Sequence, residues 1–322
     1  MNVAILGAGV ISKKMAETIR GVDAATAYAV GARTLEKAQG FAEEFGFEKA
    51  YGSYAEMLAD PAVELVYVAT PMSHHYQHIK LCLEAGKHVL CEKSFTVNAA
   101  QAKELIALAC EKKLLLAEAI WTRYLPSRKM IDDIIASGII GEVTSLSANL
   151  GYNNKFKERI VKKELAGGAL LDLGVYLLNF ARMVVPDEVT KVVTHAVQTE
   201  DGVDMQDFIT LHYQGGQVAS LHSDTTGYSS GLGSINGTKA YLEVVDVNNP
   251  QKLVVYSRAR TVVAEYDIPE QITGFEYELQ ACIDAIAAGQ VECEAMPHSE
   301  IIYIMEQMDA LRAAWGYEIP VM

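Results

Sequence analysis

A stretch near the start of the chain, NVAILGAGVIS (residues 2–12), decides the fold of its first half. Residues 2–6 form a short apolar run that predicts a buried strand, and residues 11–20 carry apolar side chains at helical spacing. A strand that passes through a Gly-x-Gly turn into a helix leaves unpaired amides and the positive end of the helix dipole above the turn. This pattern predicts an anion site for which a dinucleotide pyrophosphate is the usual ligand. The residues expected to hold it are Gly7, Ala8, Gly9, Val10 and Ile11.

Length and composition narrow the class of protein. The chain has 322 residues, half of them hydrophobic and 21% charged, which is enough for two globular domains with a sizeable core. Its formal net charge of −14 argues against a nucleic-acid partner, because binding to phosphates requires a basic surface. No apolar run approaches the roughly 18 residues of a membrane span, and the first strand begins too early for a signal peptide. Five scattered cysteines without CxxC spacing predict free thiols, so we expect a cytoplasmic protein.

Strand-like and helix-like segments alternate over the first 120 residues. The predicted strands span residues 2–6, 24–30, 65–69, 87–90 and 114–118, and the predicted helices span residues 11–20, 34–45, 53–59, 73–85 and 98–111. Continuous apolar strands separated by helices indicate an α/β fold with a doubly wound parallel sheet of the Rossmann type. We therefore predict a dinucleotide-binding domain over residues 1–120 and a substrate-binding and dimerisation domain over residues 121–322. Ligands of such sheets lie off the carboxyl ends of the strands.

The second predicted strand ends in Gly31-Ala32-Arg33-Thr34. An enzyme that uses NAD would carry an acid here to bind the ribose 2′-hydroxyl, and this chain has none. Arg33 instead can pair with a 2′-phosphate, which favours NADP(H) and leaves NAD(H) possible. The alternative is that Arg33 is a surface arginine that precedes a helix.

Three further strand ends carry polar or aromatic residues. Thr70 and Pro71 begin the sequence TPMSHH, which predicts a helix-start loop beside the cofactor. His74 and His78 have the i, i+4 spacing of a zinc pair, but neither an HExxH glutamate nor an obvious third ligand accompanies them, so we predict no metal. Glu92 and Lys93 place an acid and a cation where substrate and nicotinamide should meet; a surface ion pair is the alternative. Trp121 and Arg123 suit stacking and phosphate contact, or packing between domains.

From residue 125 the pattern changes to a helix over residues 126–137 followed by many strands. The strands are predicted at 143–150, 189–197, 208–213, 217–223, 233–235, 240–245, 252–256 and 261–266. The tight turns between these strands predict a mainly antiparallel sheet. The dipeptide Asn236-Gly237 predicts a type I′ turn in one of its hairpins. Residues 153–164 predict an irregular, charged loop, and two helices over residues 274–288 and 299–315 close the chain.

The segment GGALLDLGVYLLN (residues 167–179) predicts a buried helix, because it is apolar almost all round. Its polar residues Asp172, Tyr176 and Asn179 fall on one stripe. Buried polar groups require partners, and a ligand cleft supplies them; a solvated stripe is the alternative. A phenol, a lysine and a nicotinamide site together suggest hydride transfer with Tyr176 as general acid/base. A nearby Lys93 ammonium would favour the phenolate, and Asp172 would orient the substrate or the tyrosine.

Taken together, these motifs resemble the Gfo/Idh/MocA oxidoreductases. The resemblance rests on GAGVIS, ATPMSHH, CEKS, EAIWTR, GGALLDLGVY and the closing MPHSEIIYIMEQMDALRAAWG, in this order along essentially the whole chain. It implies an N-terminal Rossmann domain and a C-terminal α/β domain with an open, mainly antiparallel sheet that is often buried in a dimer. It also implies that Lys93, Asp172 and Tyr176 take the catalytic positions, and that His75 matches the histidine of TPxxxH among the cofactor-binding residues.

Within the family, Tyr176 together with EAIWTR makes the chain similar to the dimeric dihydrodiol dehydrogenases and the NADP-dependent D-xylose dehydrogenases. Ser94 stands where the family usually has proline after Glu-Lys. The resemblance implies an NAD(P)-dependent oxidoreductase that acts on a sugar, polyol or dihydrodiol and forms a homodimer or larger homo-oligomer. The alternatives are a non-catalytic NADP-sensing protein of the same fold, and a lyase or glycosidase that oxidises its substrate transiently.

Overall fold

The structure is a computed structural model that describes residues 1–320; Val321 and Met322, the end of the predicted second domain, lie outside the described residues. The described chain divides into two compact units. The first comprises Met1–Tyr124 and Gln271–Glu306, and the second comprises Leu125–Glu270 and Gln307–Pro320. The functional division after residue 120 stays a prediction.

The first unit contains a six-stranded parallel sheet among the described residues. Its elements in chain order are β1 (Asn2–Leu6), α1 (Val10–Gly21), β2 (Thr26–Gly31), α2 (Leu35–Phe45), β3 (Lys49–Tyr51), α3 (Tyr54–Ala59), β4 (Leu65–Val68), α4 (His75–Glu84), β5 (His88–Glu92), α5 (Ala99–Lys112) and β6 (Leu116–Ala119). The strand order β3-β2-β1-β4-β5-β6 reverses between β1 and β4, which is where a doubly wound sheet opens its ligand crevice. The predicted Rossmann-type sheet is confirmed.

Local chemistry explains where the helices of this unit begin. Thr34 and Asn98 accept hydrogen bonds from the first-turn amides of α2 and α5, as N-cap residues do. Gly46 ends α2 in the left-handed conformation. Strand β3 was not predicted, because three residues at the sheet edge, none of them fully buried, carry no periodic signal.

The second unit contains an eight-stranded, mainly antiparallel sheet in the part of the chain that is described, as predicted. Its elements in chain order are α6 (Pro126–Ala136), β7 (Val143–Gly151), α7 (Glu158–Val161), α8 (Val175–Val184), β8 (Val189–Gln198), β9 (Asp204–Tyr213), β10 (Val218–Asp224), β11 (Gly233–Gly237), β12 (Ala240–Val245), β13 (Lys252–Ser257) and β14 (Val262–Asp267). Helices α9 (Glu276–Ala287) and α10 (His298–Trp315) close the chain, and the boundary between the units falls within α10.

Two details of the second unit differ from the sequence predictions. Asn236 pairs with Tyr241 and Gly237 pairs with Val143, so the hairpin turns at residues 238–239 rather than at Asn236-Gly237. The type I′ prediction was wrong because pairing with β7 keeps Gly237 in the strand. The segment predicted as an irregular loop contains α7 and a 3₁₀ turn, Lys163–Leu165.

One helical stretch among the described residues, Lys163–Val184, is long and apolar enough to cross a membrane by length and composition. However, 89% of its most apolar window is buried inside the protein. It therefore has the character of a core helix, against which β7 and β10 pack.

Candidate active site

The glycine-rich turn after β1 has the geometry that a phosphate site requires. Gly7 adopts φ +105°, and a Cβ added there would lie 3.1 Å from the carbonyl oxygen of Ala69. The hydroxyl of Ser12 donates to the Gly7 carbonyl (2.5 Å) and accepts from the Gly9 amide (3.1 Å). Ser12 thus stabilises the turn from within the helix, which explains why it can stand where the Gly-x-Gly-x-x-Gly pattern of dinucleotide-binding turns has its third glycine.

The N-terminus of α1 is open to a ligand. Gly9 is its N-cap, the first turn contains no acidic residue, and Val10 is 90% exposed. Ala8 and Ile11 are half-buried beside them. The amides and helix dipole here fit the pyrophosphate of a dinucleotide, because no carboxylate of the first turn opposes its charge.

Arg33 follows β2 and is exposed. Its charge acts on Tyr54, at the start of α3: burial raises the pKa of Tyr54, and Arg33 opposes that rise. Thr34 follows as the N-cap of α2, so the β2 end carries a cation and a hydroxyl rather than an acid. This side-chain set fits a ribose 2′-phosphate better than an unmodified ribose.

Two histidines form hydrogen bonds with Thr70, which follows β4. The Thr70 hydroxyl lies 2.9 Å from Nδ1 of His78, whose pKa is lowered to about 4, first by burial and then by neighbouring His74. His75 is buried, with Nδ1 2.9 Å from the carbonyl of Ser94 and Nε2 2.9 Å from that of Thr70. A neutral imidazole can donate to one of these carbonyls at a time, and burial lowers the pKa of His75.

His75 therefore bridges two strand ends, and its predicted contact with the cofactor stays a prediction, as does that of Thr70 and Pro71. Pro71 caps a 3₁₀ turn, Met72–His74. The His74 and His78 rings stack at 5.8 Å between centroids. Within residues 1–320, no three His, Cys, Asp or Glu side chains are grouped to hold a metal ion.

Glu92 is the buried last residue of β5, and the partly buried Lys93 follows it. The Tyr67 hydroxyl donates to Oε1 of Glu92, and the amide of Lys93 donates to Oε2 at 3.2 Å. Burial raises the pKa of Glu92, and the Lys93 charge partly opposes that rise. The Lys93–Ser94 peptide bond is cis. Because Glu92 is buried and bonded to Tyr67, a solvated surface ion pair does not describe this motif.

Two more acids, which the sequence reading missed, lie near Glu92. Glu118, next to the end of β6, accepts from the Phe95 amide at 3.0 Å, and its pKa is raised to about 7, chiefly by burial. Glu278 on α9 is 0% exposed, and no donor in the described chain reaches either carboxyl oxygen. Burial, and then the charge of Glu92, hold the pKa of Glu278 well above its ordinary range. Glu278 is thus a neutral acid, since a buried unpaired charge would be far costlier.

Trp121 and Arg123 are also engaged within the first unit. The Lys14 ammonium lies 4.0 Å from the Trp121 ring centroid and 4.2 Å from that of Phe275. Arg123 pairs with Glu300 at 2.8 Å, and both side chains are largely buried. The predicted cofactor contacts of Trp121 and Arg123 stay predictions.

In the second unit, Asp172 and Tyr176 flank the start of α8. Residues Leu170–Gly174 form a π-helical turn rather than the regular helix that the sequence predicted. Wider turns of this kind often occur at functional sites. Asp172 is buried and accepts from Arg159 at 2.7 Å, and Tyr176, the second residue of α8, is 8% exposed. Asn179 donates to the Val175 carbonyl at 2.8 Å, so it also serves its own helix.

Comparison with known proteins identifies the family. Residues 1–119 match the model of the oxidoreductase family with an NAD-binding Rossmann fold, and residues 129–243 match the GFO/IDH/MocA C-terminal domain. The chain belongs to the Gfo/Idh/MocA oxidoreductase family. It is an NAD(P)-dependent enzyme, in agreement with the nucleotide turn described above.

Relatives of this Gfo/Idh/MocA oxidoreductase match it along most of its length. It is 34% identical to the human trans-1,2-dihydrobenzene-1,2-diol dehydrogenase over 305 residues, covering 91% of this chain and 89% of the relative. It is 36% identical to the D-xylose 1-dehydrogenase (NADP(+)) of Hypocrea jecorina over 304 residues, covering 84% and 78%. A solved 3-ketoreductase from Actinomadura kijaniata, in complex with NADP and TDP-benzene, superposes with a TM-score of 0.87 at 27% identity over 97% of both chains.

Proposed function

We propose that this enzyme transfers a hydride between NADP(H) and a hydroxyl-bearing carbon of a sugar, a polyol or a trans-dihydrodiol. The observation that carries the proposal is the chain-long similarity to two dehydrogenases whose names specify such substrates. A dehydrogenase that acts on a substrate of this kind converts an alcohol into a carbonyl at the reacting carbon. A bound nicotinamide supplies or accepts the hydride of that exchange.

Tyr176 is our candidate for the general acid/base. In the oxidative direction its oxygen takes the proton of the substrate hydroxyl, and in the reductive direction it returns that proton to the carbonyl oxygen. Lys93 is the candidate cation that favours the phenolate form. Asp172 would orient the reacting hydroxyl through its carboxylate, while Arg159 holds its other side. Roles of this kind for a tyrosine and a lysine require both side chains to serve the same substrate, and the experiment below tests that requirement.

We propose NADP(H) as the preferred cofactor. Support comes from exposed Arg33 and the absence of an acid between Gly31 and Leu35. The residues that would hold the dinucleotide are those of the glycine turn and the α1 N-terminus, with Arg33 at the 2′-phosphate.

A steady-state assay across sugars, polyols and diols, with NADP(H) and NAD(H) in both directions, tests the proposal. Tyr176→Phe and Lys93→Met should each lower kcat by about 10² to 10⁴-fold while binding NADPH nearly as tightly as the wild type. Tyr266→Phe, which removes a phenol from β14, is the matched control and should retain activity. Unchanged turnover in Tyr176→Phe would remove that residue from the mechanism. Binding of NADPH without turnover on any substrate would instead favour the NADP-sensing alternative.

We also propose a cytoplasmic homodimer or larger homo-oligomer built on the outer face of the second sheet. Phe208 on that sheet is 44% exposed and stacks on His222, and Tyr241 stacks on Tyr256. Exposed aromatic side chains are typical of subunit interfaces. Light scattering should give a molar mass of at least two chains for the wild type. The Phe208→Glu variant should have a molar mass closer to that of the monomer. All five cysteines are free thiols, which fits a reducing compartment.

A further inference from the structure

The helix that carries Tyr176 is anchored at its N-terminus by a buried aspartate. Asp204, the first residue of β9, accepts a hydrogen bond from the Leu170 amide through Oδ2 at 2.6 Å. Leu170 begins the π-helical turn that contains Asp172 and leads into α8. A carboxylate at this point satisfies an amide that the helix cannot pair internally, and it opposes the positive end of the helix dipole.

A second buried aspartate lies against the first. Asp207, also on β9, faces Asp204, and the two side chains can share a hydrogen bond when one of the carboxyl groups is protonated. Its Oδ2 accepts from the Ser223 hydroxyl at 2.7 Å, directly across on β10, and no donor from residues 1–320 reaches its Oδ1. Asp204 and Asp207 are 1% and 0% exposed. Two carboxyl groups can hydrogen-bond to each other only when one of them carries a proton.

Gly168 provides the space for this arrangement. Its φ is +131°, and a Cβ added there would lie 2.2 Å from Oδ1 of Asp204. The chain therefore passes over the carboxylate without a side chain. Gly168, the second glycine of the GGALLD motif, is therefore explained by the space that the Asp204 carboxylate occupies.

We propose that Asp204 and Asp207 form a carboxyl–carboxylate pair that holds one proton and positions the helix segment bearing Asp172 and Tyr176. In this pair the Asp207 carboxyl donates its proton to Asp204, and Asp204 holds the Leu170 amide. Both aspartates are positioning residues, since they act on the reaction through the helix. The inference rests on the proposed role of Tyr176.

The charged and titratable groups around the pair come from several elements. Arg312 on α10 faces Asp204 and pairs with Asp309 at 2.5 Å, while Tyr317 follows α10 and donates to the Gly167 carbonyl. Burial, and then the charge of Asp204, hold the pKa of Asp207 well above its ordinary range. Because the unfolded chain releases this proton near pH 4, the stabilisation is complete below that pH and is lost as the pH rises through the folded pKa.

Asp207→Asn tests the shared proton directly. Its amide donates to Asp204 as the protonated carboxyl does, but it cannot lose that hydrogen at alkaline pH. We expect the melting temperature and kcat of this variant to fall less than those of the wild type between neutral and alkaline pH. The infrared difference spectrum, wild type minus variant, should contain the C=O stretch of one protonated carboxyl. Asp201→Asn, an exposed carboxylate on the turn before β9, is the matched control and should show neither effect.

Asp204→Ala tests positioning. Loss of the acceptor for Leu170 should lower kcat by about tenfold to a hundredfold with an unchanged NADPH dissociation constant, and Asp204→Asn, which keeps an acceptor oxygen, should recover most of that loss. No carboxyl band in the difference spectrum, or identical pH profiles for Asp207→Asn and wild type, would overturn the shared proton. An Asp204→Ala enzyme with wild-type kcat would overturn the positioning role. The infrared and melting measurements require no turnover, so they stand even if Tyr176→Phe retains full activity.

Discussion

The two sheets of this enzyme bury acidic side chains in different places. In the parallel sheet of the first unit, strands such as β4 are buried at every residue, and the acids Glu92 and Glu118 stand at or next to the carboxyl ends of their strands. In the antiparallel sheet of the second unit, Asp204 begins β9 and Asp207 lies within it, and Asp204 accepts a hydrogen bond from the segment that leads into α8.

The difference follows from what covers each sheet. A parallel sheet covered on both faces has no room for a charge between its strands, so polar groups collect at the carboxyl edge, where ligands bind. An antiparallel sheet with a helix on one face can place polar groups under that helix. We therefore expect substitutions at the strand ends to alter binding and titration, and substitutions under the helix to alter its position and stability.

The largest effects are expected from alanine substitutions at Gly168, in the second unit, and Gly7, in the first, which should differ in how they change stability and NADPH affinity. Gly168→Ala would place a Cβ against Asp204 in a left-handed backbone, so we expect the free energy of unfolding to fall by about 3 kcal/mol or more. Gly7→Ala is also strained, at φ +105° with its Cβ 3.1 Å from the Ala69 carbonyl oxygen, but the contact is less severe than at Gly168, so we expect a smaller loss of stability together with weaker NADPH binding. Chemical unfolding and NADPH titration measure both. Gly40→Ala on α2, where an added Cβ meets nothing within 4 Å, is the control and should be neutral or slightly stabilising.

A second prediction concerns the acid at the β6 end. Since the pKa of Glu118 is about 7 in the folded protein, its stabilising proton is bound at pH 5 and largely released at pH 8. Glu118→Gln should therefore remove part of the loss of stability between these pH values, on the order of 3 kcal/mol. Thermal unfolding at both pH values measures it, with exposed Glu111→Gln as control. Equal pH dependence of variant and wild type would contradict the prediction.

The third prediction sharpens the cofactor assignment. Arg33→Ala should weaken NADP(H) binding by about 1.5 to 3 kcal/mol, roughly 10- to 100-fold, and leave NAD(H) binding unchanged, because only NADP(H) carries the 2′-phosphate. Titration of both reduced cofactors by nicotinamide fluorescence measures the difference. Lys37→Ala, one turn along α2, is the control. Equal losses for both cofactors would show that Arg33 does not recognise the phosphate.

The smallest effect is expected at Arg159. Its side chain is about half exposed (47%), so its pair with Asp172 contributes at most about 1 kcal/mol to stability. Arg159→Ala should leave the melting temperature nearly unchanged but alter kcat/KM, because Asp172 loses the partner that orients it. Exposed Arg258→Ala is the control for loss of a positive charge. A large fall in stability with unchanged kcat/KM would assign Arg159 a structural role instead.

Prediction from sequence was strongest where one residue pattern implies one structure. Apolar runs and helical spacing located every strand of the first sheet except β3, while the role of Glu92 at a strand end stays a prediction. The hairpin at Asn236-Gly237 failed because a neighbouring strand, distant in sequence, kept Gly237 extended. The sequence predicted that Asp172 and Tyr176 lie on one helix. It did not predict the π-helical turn that contains Asp172, since no local pattern specifies such a turn.

The environment of several buried acids could not be predicted from the sequence. Glu118 and Glu278 look like ordinary acids on a strand and a helix, and their raised pKa values arise from burial that only the packed structure supplies. Asp204 and Asp207 are three residues apart, which strict strand alternation would place on opposite faces. The pairing of β8 and β9 shifts register between Val197 and Gln198, opposite Asp204, and this irregularity interrupts the alternation that separates the two residues.

The sequence by itself determined the parallel sheet, the nucleotide turn at Gly7 and Gly9, and the family, because these follow from local periodicity and short motifs. The tertiary structure alone decided which acids are buried, which of them hold protons, and why Gly168 must lack a side chain. The physical reason is that desolvation and close approach depend on what packs around a group, and its neighbours in the chain do not specify that.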